Sequence, residues 1–498
     1  MSESIENQHS TAWVVTKFGG TSVSTAARWT RISEIVGRHT NAGRRVLLVC
    51  SAVAGVTNQL EAVVASLVAG EPTAALLRAL RATHVGLAAS MGIDPALLDE
   101  PLAALAARVA AVEGRPTPRD RAAILSYGEV LSTSLGVAWL RGRGVSAAWV
   151  DARTLLSAAP LAPTTDPDAD LTDHYLSSMC TGEPRPEVRQ GLEALDVAVV
   201  VTQGFIARGH DGATVLLGRG GSDASGAYLA ATIEAEALEI WTDVPGLFTA
   251  DPRTVPDARL LQRTSYTEAE ALGALGAKVI HPRTIEPCRV YGIPIRVGWT
   301  DRPGLPGTRI DGTRTPRGIK AVVARRGLAL ISMWRPSTWQ PVGFMAEVAA
   351  RFHRRGLSMD LISSSPSEIR VTVDLAAFPS AASELAALVE DLAAVCRPQL
   401  LSRVGCVSVV GDGAVAAMLR QGLPLDVFAD AHVHLISHAG NGGHASVVVD
   451  ERELDRLVTA AHALLVAPRA APSVFGPGWA ALTAPAVATV EEVRCRAS

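Results

Sequence analysis

From Trp13 onward, short apolar runs alternate along the chain with longer stretches whose apolar residues recur at helical spacing. TAWVVTKF, RRVLLVCSAV, DVAVVVTQGF and LEIWTDV read as strands, and the segment after Ser24 as a helix. Strands alternating with helices predict an α/β domain built on a largely parallel sheet. Residues 60–125 are Ala/Leu-rich at helical spacing and predict a helical insertion. The stretch APLAPTTDPDADLTD (159–173), with four Asp and three Pro, predicts a loop. A second break, WTDRPGLPGTRIDGTRTPRG (299–318), is dense in Gly, Pro and Arg and marks a change of domain, with the linker proper at 311–318.

Beyond it the rhythm shortens. Residues 319–374 run strand, helix (GFMAEVAARFHRRG), strand (SMDLIS), strand (EIRVTVD). A helix (SAASELAALVEDLAAV) then leads into a second cycle: VGCVSVVG, a helix to Phe428, VHLISHAG, HASVVVD and a helix from Glu451. Two small βαββ-like units in tandem are an internal repeat, placed at 319–400 and 401–466. The Ala/Pro-rich tail, 467–498, is expected to be disordered, and residues 1–12 to form a flexible leader.

Composition narrows the classes. A chain of 498 residues suggests about three domains, and 48% hydrophobic with 19% charged residues excludes wholesale disorder. A net charge of -3 leaves no basic footprint, which argues against nucleic acid as a partner. Cys50, Cys180, Cys288, Cys396, Cys406 and Cys495 are scattered with no CxxC pair, as in a reducing cytosol. MSESIENQHSTAW lacks the basic and apolar regions of a signal peptide. Apolar runs such as Val46 to Ala54 are far below a membrane span, so a cytoplasmic protein with no membrane partner is expected. Almost every basic residue is arginine; the lysines are Lys17, Lys278 and Lys320. Where lysine persists in such a chain, a compact ammonium on a flexible stem has a reason to be there.

Five segments carry candidate chemistry. In VTKFGGTSVS (15–24) a strand ends in Lys17, followed by Gly19, Gly20, Thr21 and Ser22 before a helix. Paired glycines let the backbone approach an anion, and the N–H groups of the next helix point at it. The spacing is not that of a P-loop, so a different nucleotide fold is implied. LLGRGGSDASGAYLAA (216–231) opens a second helix from a glycine-rich turn carrying Arg219 and Asp223. EIWTDVPGLFTADPR (239–253) ends a strand at Thr242 and Asp243 and turns to Asp251 and Arg253. LGAKVIHPRTIEP (275–287) holds Lys278, and YGEVLSTSLG (127–136) places Glu129 at a helix start. Taken singly, each also reads as an ordinary turn or a helix-dipole partner.

Together, KFGGTSV, SAVAGVTN (51–58), GEVLSTSL, GRGGSD, WTDVPGLFTADPR and GAKVIHP occur in the order and spacing of the aspartate kinase family, which the chain resembles over roughly residues 13–465. The resemblance implies the amino-acid-kinase fold, a mainly parallel sheet between helices, for 13–310, followed by two α+β ACT domains of βαββαβ type. Position by position, it makes Lys17 the residue that bridges the transferring phosphate and Asp223 the organiser of the catalytic centre. Ser51 and Thr57 then line the aspartate pocket, Glu129 receives the substrate ammonium and Arg219 its α-carboxylate. Lys17, Gly19, Gly20, Thr21, Ser22, Thr242, Asp243, Phe248, Asp251, Arg253 and Lys278 surround ATP. Mg²⁺ is expected mainly on the nucleotide phosphates, since the sequence has no dedicated metal motif.

The implied chemistry is physically coherent. A free β-carboxylate, with a pKa of about 3.9, is already an anion and needs no general base. The difficulty is bringing one anion onto another, so catalysis rests on positioning and positive charge. Some positions depart from the family: Val215, Leu216 and Leu217 replace threonines, Ala224 an aromatic, and Phe248 a tyrosine. The first change suggests a weakened or altered acceptor site. The sensor half resembles lysine-regulated members through VGFMAEV (342–348) and SMDLISSSPSE (358–368), with Ser358, Asp360, Ser364 and Ser365 at effector positions and Pro366 in place of an acidic residue. Lysine or threonine is the expected effector, and a homodimer through the ACT domains, or a dimer of dimers, the expected assembly. Two alternatives stand beside this reading: a kinase for a related or modified carboxylate, and a catalytically weak ACT-based amino-acid sensor.

Overall fold

A computed structural model describes residues 12–160, 167–277, 279–335, 342–376, 381–420, 425–468 and 471–484. The leader (1–11), Lys278 and the tail beyond 484 lie outside the described residues. The chain packs as two bodies. One holds the residues up to Gly246 with Arg263–Tyr266 and Val279–Thr313; the other holds Leu247–Gln262, Thr267 to Ala277 and the chain from Arg314.

In the first body the strands are β1 (Trp13–Phe18), β2 (Arg45–Cys50), β3 (Ala147–Trp149) and β4 (Val199–Gln203), with the short hairpin β5 (Ile206–Arg208) and β6 (Thr214–Leu216), then β7 (Ala237–Thr242). After β8 (Arg259–Leu261), which belongs to the second body, follow β9 (Arg263–Ser265), β10 (Ile295–Trp299) and β11 (Thr308–Asp311). Eight of these form one sheet in the order β3-β4-β2-β1-β7-β10-β11-β9, parallel except for the β10–β11 pair. All six residues of β1 are buried, as in a strand covered on both faces. The chain leaves β1 to one side through β2 and later returns to its other side as β7, so a topological switch point lies at the carboxyl end of β1.

Helices α1 (Ala26–Asn41), α2 (Val56–Ala69), α3 (Ala74–Ser90), α4 (Asp99–Ala110), α5 (Pro118–Leu125) and α6 (Tyr127–Gly142) contain the expected helical insertion. The stretch Pro118–Gly142 is long and apolar enough to cross a membrane, but 72% of its most apolar window is buried within the molecule, as in a core helix. After α7 (Ala152–Leu155), the expected loop at 159–173 is corrected in part: α8 (Pro167–Leu176) is helical. Its first residue is proline, whose fixed φ and missing N–H suit a first turn. Helices α9 (Pro186–Glu193), α10 (Gly221–Thr232), α11 (Tyr266–Leu275) and α12 (Pro282–Val290) follow. The Gly/Pro-rich break at 299–318 is likewise not all coil, because β11 pairs with β10 and β9 inside it.

The second body's main sheet comprises β12 (Ala321–Trp334), β13 (Ile362–Ser364), β14 (Glu368–Asp374), β15 (Arg397–Val410), β16 (Leu435–His438) and β17 (His444–Asp450), in the order β13-β14-β12-β15-β17-β16. With α13 (Phe344–Arg354), α14 (Ala381–Ala393), α15 (Ala414–Arg420), α16 (Leu425–Phe428) and α17 (Leu454–Leu465) it makes the two expected βαββ cycles. A cut at 400/401 would fall inside β15, which pairs with β12 from Arg397 to Val410, so the cycles share their two central strands. Along β12, Ala329, Ile331 and Met333 join one core with α13 and α14, while Leu328 and Leu330 face the other way. The expected disorder of the whole tail is corrected too. Residues 471–484 form β18 (Phe475–Gly478), paired with β8, and α18 (Trp479–Thr483).

Candidate active site

A cavity of about 370 Å³ opens at the carboxyl end of β1, lined by Lys17, Gly19, Gly20, Ser51, Thr57, Glu129 and Asp223 among others. Three loops converge there, and their fit depends on small residues. A Cβ on Gly20 would lie 2.6 Å from the Ala52 carbonyl oxygen, so the turn after β1 can meet the loop after β2 only as glycine. Ala54 N–H bonds to the Gly20 carbonyl (3.2 Å) and to Ser24 Oγ (3.1 Å), stitching the two loops together. Ser22 is buried, its hydroxyl 2.8 Å from that of Thr300.

Lys17, the penultimate residue of β1, has its side chain 9% exposed and is ion-paired to Asp223 in the first turn of α10. Gly220 begins that helix at φ 71°, and Gly220, Gly221 and Ser222 line the cavity, so a helix N-terminus faces it. Behind the turn stands a residue to which sequence reading gave no role. A Cβ on Gly220 would lie 2.6 Å from His281 Cγ, and Arg283 Nη1 donates to the Leu217 carbonyl (3.2 Å). The start of α12 thus buttresses the turn carrying Arg219 and Asp223. Phe205 was missed as well. It lines the cavity at φ 69°, held by its N–H to Ser225 Oγ (2.8 Å) and by Leu217 N–H to its carbonyl (2.8 Å). A left-handed phenylalanine is strained, and strain concentrates at functional sites. His281 lies within the GAKVIHP segment, though nothing there assigns it a role, and no spacing in the sequence signals Phe205.

Glu129 is the most exceptional group. It sits in the first turn of α6, 3% exposed, where Gly128 lies close to Ala52. Its Oε1 accepts the Ala52 N–H at 3.2 Å, while Oε2 is buried without a hydrogen-bond partner. Burial pushes its pKa up to about 8, against the lowering by that hydrogen bond and by the Lys17 charge. Nearby Cys50 is no nucleophile, because burial pushes its thiol up to about 12.

Of the other expected residues, Ser51 and Thr57 line the cavity, whereas Arg219 is exposed on the turn between two lining glycines. Val215, Leu216 and Leu217 are buried and do not line the cavity. Thr21 is exposed beside Gly20. Thr242 ends β7, its hydroxyl 3.2 Å from Asp243 Oδ1. Phe248, Asp251 and Arg253 belong to the second body, where Arg253 closes on Asp251 through Nε (3.0 Å to Oδ1) and Nη2 (2.7 Å to Oδ2) among other bonds.

Within the second body the expected effector residues divide. Asp360 lines a cavity of about 400 Å³ together with Arg325, Thr372, Cys406, Ser408 and His444. Arg325 Nη2 reaches both Asp360 (2.8 Å) and Asp374 (2.9 Å), while burial and Asp374 hold the Asp360 pKa up. Ser358, Ser364 and Ser365 are exposed and do not line that cavity.

The model of the amino acid kinase family matches residues 12–298. The lysine-sensitive aspartokinase 3 of Escherichia coli (strain K12) is 31% identical over 463 residues, covering 91% of this chain and 99% of that protein. The crystal structure of E. coli aspartokinase III with aspartate and ADP (R-state) superposes with a TM-score of 0.75 at 29% identity, covering 90% of this chain and 99% of that one. The T-state structure of the same enzyme, with lysine and aspartate, gives 0.72 at 29% identity, covering 91% and 99%.

Proposed function

The chain belongs to the amino acid kinase family, and within it to the aspartokinases, and from that premise we propose how it works. It is an ATP-dependent aspartate kinase, transferring the γ-phosphate to the β-carboxylate of L-aspartate to give β-aspartyl phosphate. The observation that carries the site assignment is Glu129, a buried carboxylate with one unpartnered oxygen, in the cavity where Lys17 and Asp223 pair. A buried anion with an open valence is costly unless a ligand completes it. The substrate ammonium is the complement, and Arg219 is assigned to the α-carboxylate.

Held between Glu129 and the glycine-rich turns, the β-carboxylate attacks as the anion it already is. Lys17 moves from Asp223 toward the transferring phosphate; a cation at about 4 Å from a phosphoryl oxygen contributes on the order of 4 kcal/mol at an effective dielectric near 20. The N-terminus of α10 and the turn at Gly19 and Gly20 supply further positive potential. Thr21, Ser22, Thr242, Asp243, Phe248, Asp251, Arg253 and Lys278 are assigned to the nucleotide. The carboxylates lining the cavity are Glu129 and Asp223, a donor set that suits a cation arriving mainly on phosphate oxygens. Mg²⁺ held this way, with Asp223 beside it, would neutralise charge on the β- and γ-phosphates.

The reading extends to regulation. Lysine is the proposed effector, acting between ACT domains of a homodimer in a cytoplasmic enzyme of lysine biosynthesis. Asp360 is already paired with Arg325, so a lysine ammonium must displace that guanidinium or share the carboxylate with it. The reaction itself is tested by trapping acyl phosphate with hydroxylamine in the presence of ATP, Mg²⁺ and a panel of acceptors. L-Aspartate should give the hydroxamate, and succinate, which lacks the ammonium, should not. Hydroxamate from another carboxylate but not from aspartate would overturn the assignment.

A further inference from the structure

The segment that composition marks as unstructured lies across the hairpin assigned to the nucleotide. That hairpin runs from Leu247 to Gln262, closed by Leu261 N–H to the Leu247 carbonyl (2.8 Å) and Thr249 N–H to the Arg259 carbonyl (2.9 Å). Its backbone is fixed from one side by the sensor sheet. Val322 N–H donates to the Thr249 carbonyl (2.8 Å). The Thr249 hydroxyl accepts from Arg259 N–H (2.9 Å) and lies 2.9 Å from His462 Nε2 on α17, within hydrogen-bond reach.

Another edge is held by the tail. β18 pairs antiparallel with β8, and Gln262 N–H donates to the Val474 carbonyl (2.8 Å). Arg259 donates from Nε to the Gly476 carbonyl (3.0 Å) and from Nη2 to that of Phe475 (2.8 Å), its guanidinium 5.3 Å from the Phe475 ring centre. Val474, Phe475 and Leu482 are buried, which a loosely attached tail would not achieve. Trp479 then meets Phe248 edge to face, with ring centres 5.7 Å apart.

We infer that residues 471–484 are a strap that fixes the nucleotide hairpin, and that Trp479 is a positioning residue for ATP, acting through Phe248. The inference rests on the reading that Phe248, Asp251 and Arg253 face the nucleotide. Trp479 sets the rotamer and depth of Phe248, while the β8–β18 ladder sets the height of the backbone leading to Asp251. Loosening the strap therefore weakens nucleotide binding and leaves the aspartate pocket of the first body unchanged.

The test uses the full chain with Trp479→Ala, Trp479→Phe and Asp251→Ala, measuring ADP affinity by calorimetry, both KM values, kcat and thermal melting. Loss of one aromatic pair should weaken ADP and raise the KM for ATP about 3- to 10-fold, with kcat and the KM for aspartate within about twofold of wild type. Trp479→Phe should restore ADP affinity, and Asp251→Ala should also weaken it. If Asp251→Ala weakens ADP while Trp479→Ala does not, the strap inference falls and the nucleotide reading stands. If neither weakens ADP, the nucleotide reading falls and takes the inference with it. A Trp479→Ala protein that loses ADP and aspartate affinity together and melts lower would show a merely structural strap, overturning the inference. Should Trp479→Ala fail to fold, Arg259→Met removes the Arg259 side-chain bonds to the Phe475 and Gly476 carbonyls and leaves Phe248 in place, with the same expectations.

Discussion

Glu129 and Glu268 occupy the same kind of position in different bodies of the molecule. Each lies in the first turn of a helix, α6 or α11, with 3% and 4% of its surface exposed. Around Glu268 the chain supplies its own complement. Lys320 and the Asp412 N–H (3.0 Å) meet Oε1, and the Thr315 hydroxyl (3.0 Å) meets Oε2. Around Glu129 it supplies one backbone N–H and leaves the second oxygen without a hydrogen-bond partner. The sensor lies between the two, since the single guanidinium of Arg325 is shared by Asp360 and Asp374, one cation for two carboxylates. Burial alone therefore does not mark a functional carboxylate. What separates the two regions is whether the protein completes the charge itself or leaves that to a ligand.

The contrast can be broken most severely at Lys17. If its ammonium serves the transferring phosphate, Lys17→Arg should lose about 10²- to 10³-fold in kcat while the protein melts normally, since a planar guanidinium cannot replace a compact ammonium. Turnover near wild type would remove the catalytic side of the comparison. Glu129→Gln comes next, with the KM for aspartate raised about 30- to 1,000-fold and the KM for ATP unchanged, as when one partner of a buried charged pair is lost.

The same substitution has a stability signature. A carboxyl whose pKa is raised on folding holds a proton that the unfolded chain has released, so stability falls as pH rises between about 4.5 and about 8. Unliganded Glu129→Gln should therefore melt higher than wild type at about pH 8.5, seen by scanning calorimetry. Glu268→Ala should do the opposite, costing about 3–5 kcal/mol because Lys320 is left buried and unpaired, with aspartate KM unchanged in whatever remains folded. A selective loss of aspartate affinity there would erase the distinction between the two glutamates. The smallest effect is expected at the sensor, where Asp360→Asn should raise the lysine concentration for half-inhibition about tenfold, read from lysine titrations.

Much of the catalytic body was legible along the chain because its chemistry is local. Lys17 and its glycines follow a strand directly, and Gly220 to Asp223 open a helix directly, so spacing alone points to a cradle for anions. The roles of His281, inside GAKVIHP, and of Phe205 were not legible, since one acts through contact with a turn far away in sequence and the other through a backbone angle. The sharing of β12 and β15 was hidden for a related reason. Pairing register is a long-range property, and the polar, largely exposed RPQLLSR half of β15 resembles coil until its partner is present. At the tail, Ala/Pro composition outweighed a four-residue strand whose pairing partner is the distant β8.

The central claim is that the open oxygen of Glu129 receives the substrate ammonium, and the pH dependence of aspartate use tests it most directly. With a pKa of about 8 in the unliganded protein, Glu129 is largely protonated near neutrality and must ionise to pair with an ammonium. For wild type, kcat/KM for aspartate should climb up to about tenfold per pH unit from about pH 6.5 and level off above about pH 8, while the KM for ATP stays flat. The Glu129→Gln enzyme should show no such climb. A flat wild-type profile, or the same climb in Glu129→Gln, would contradict the account.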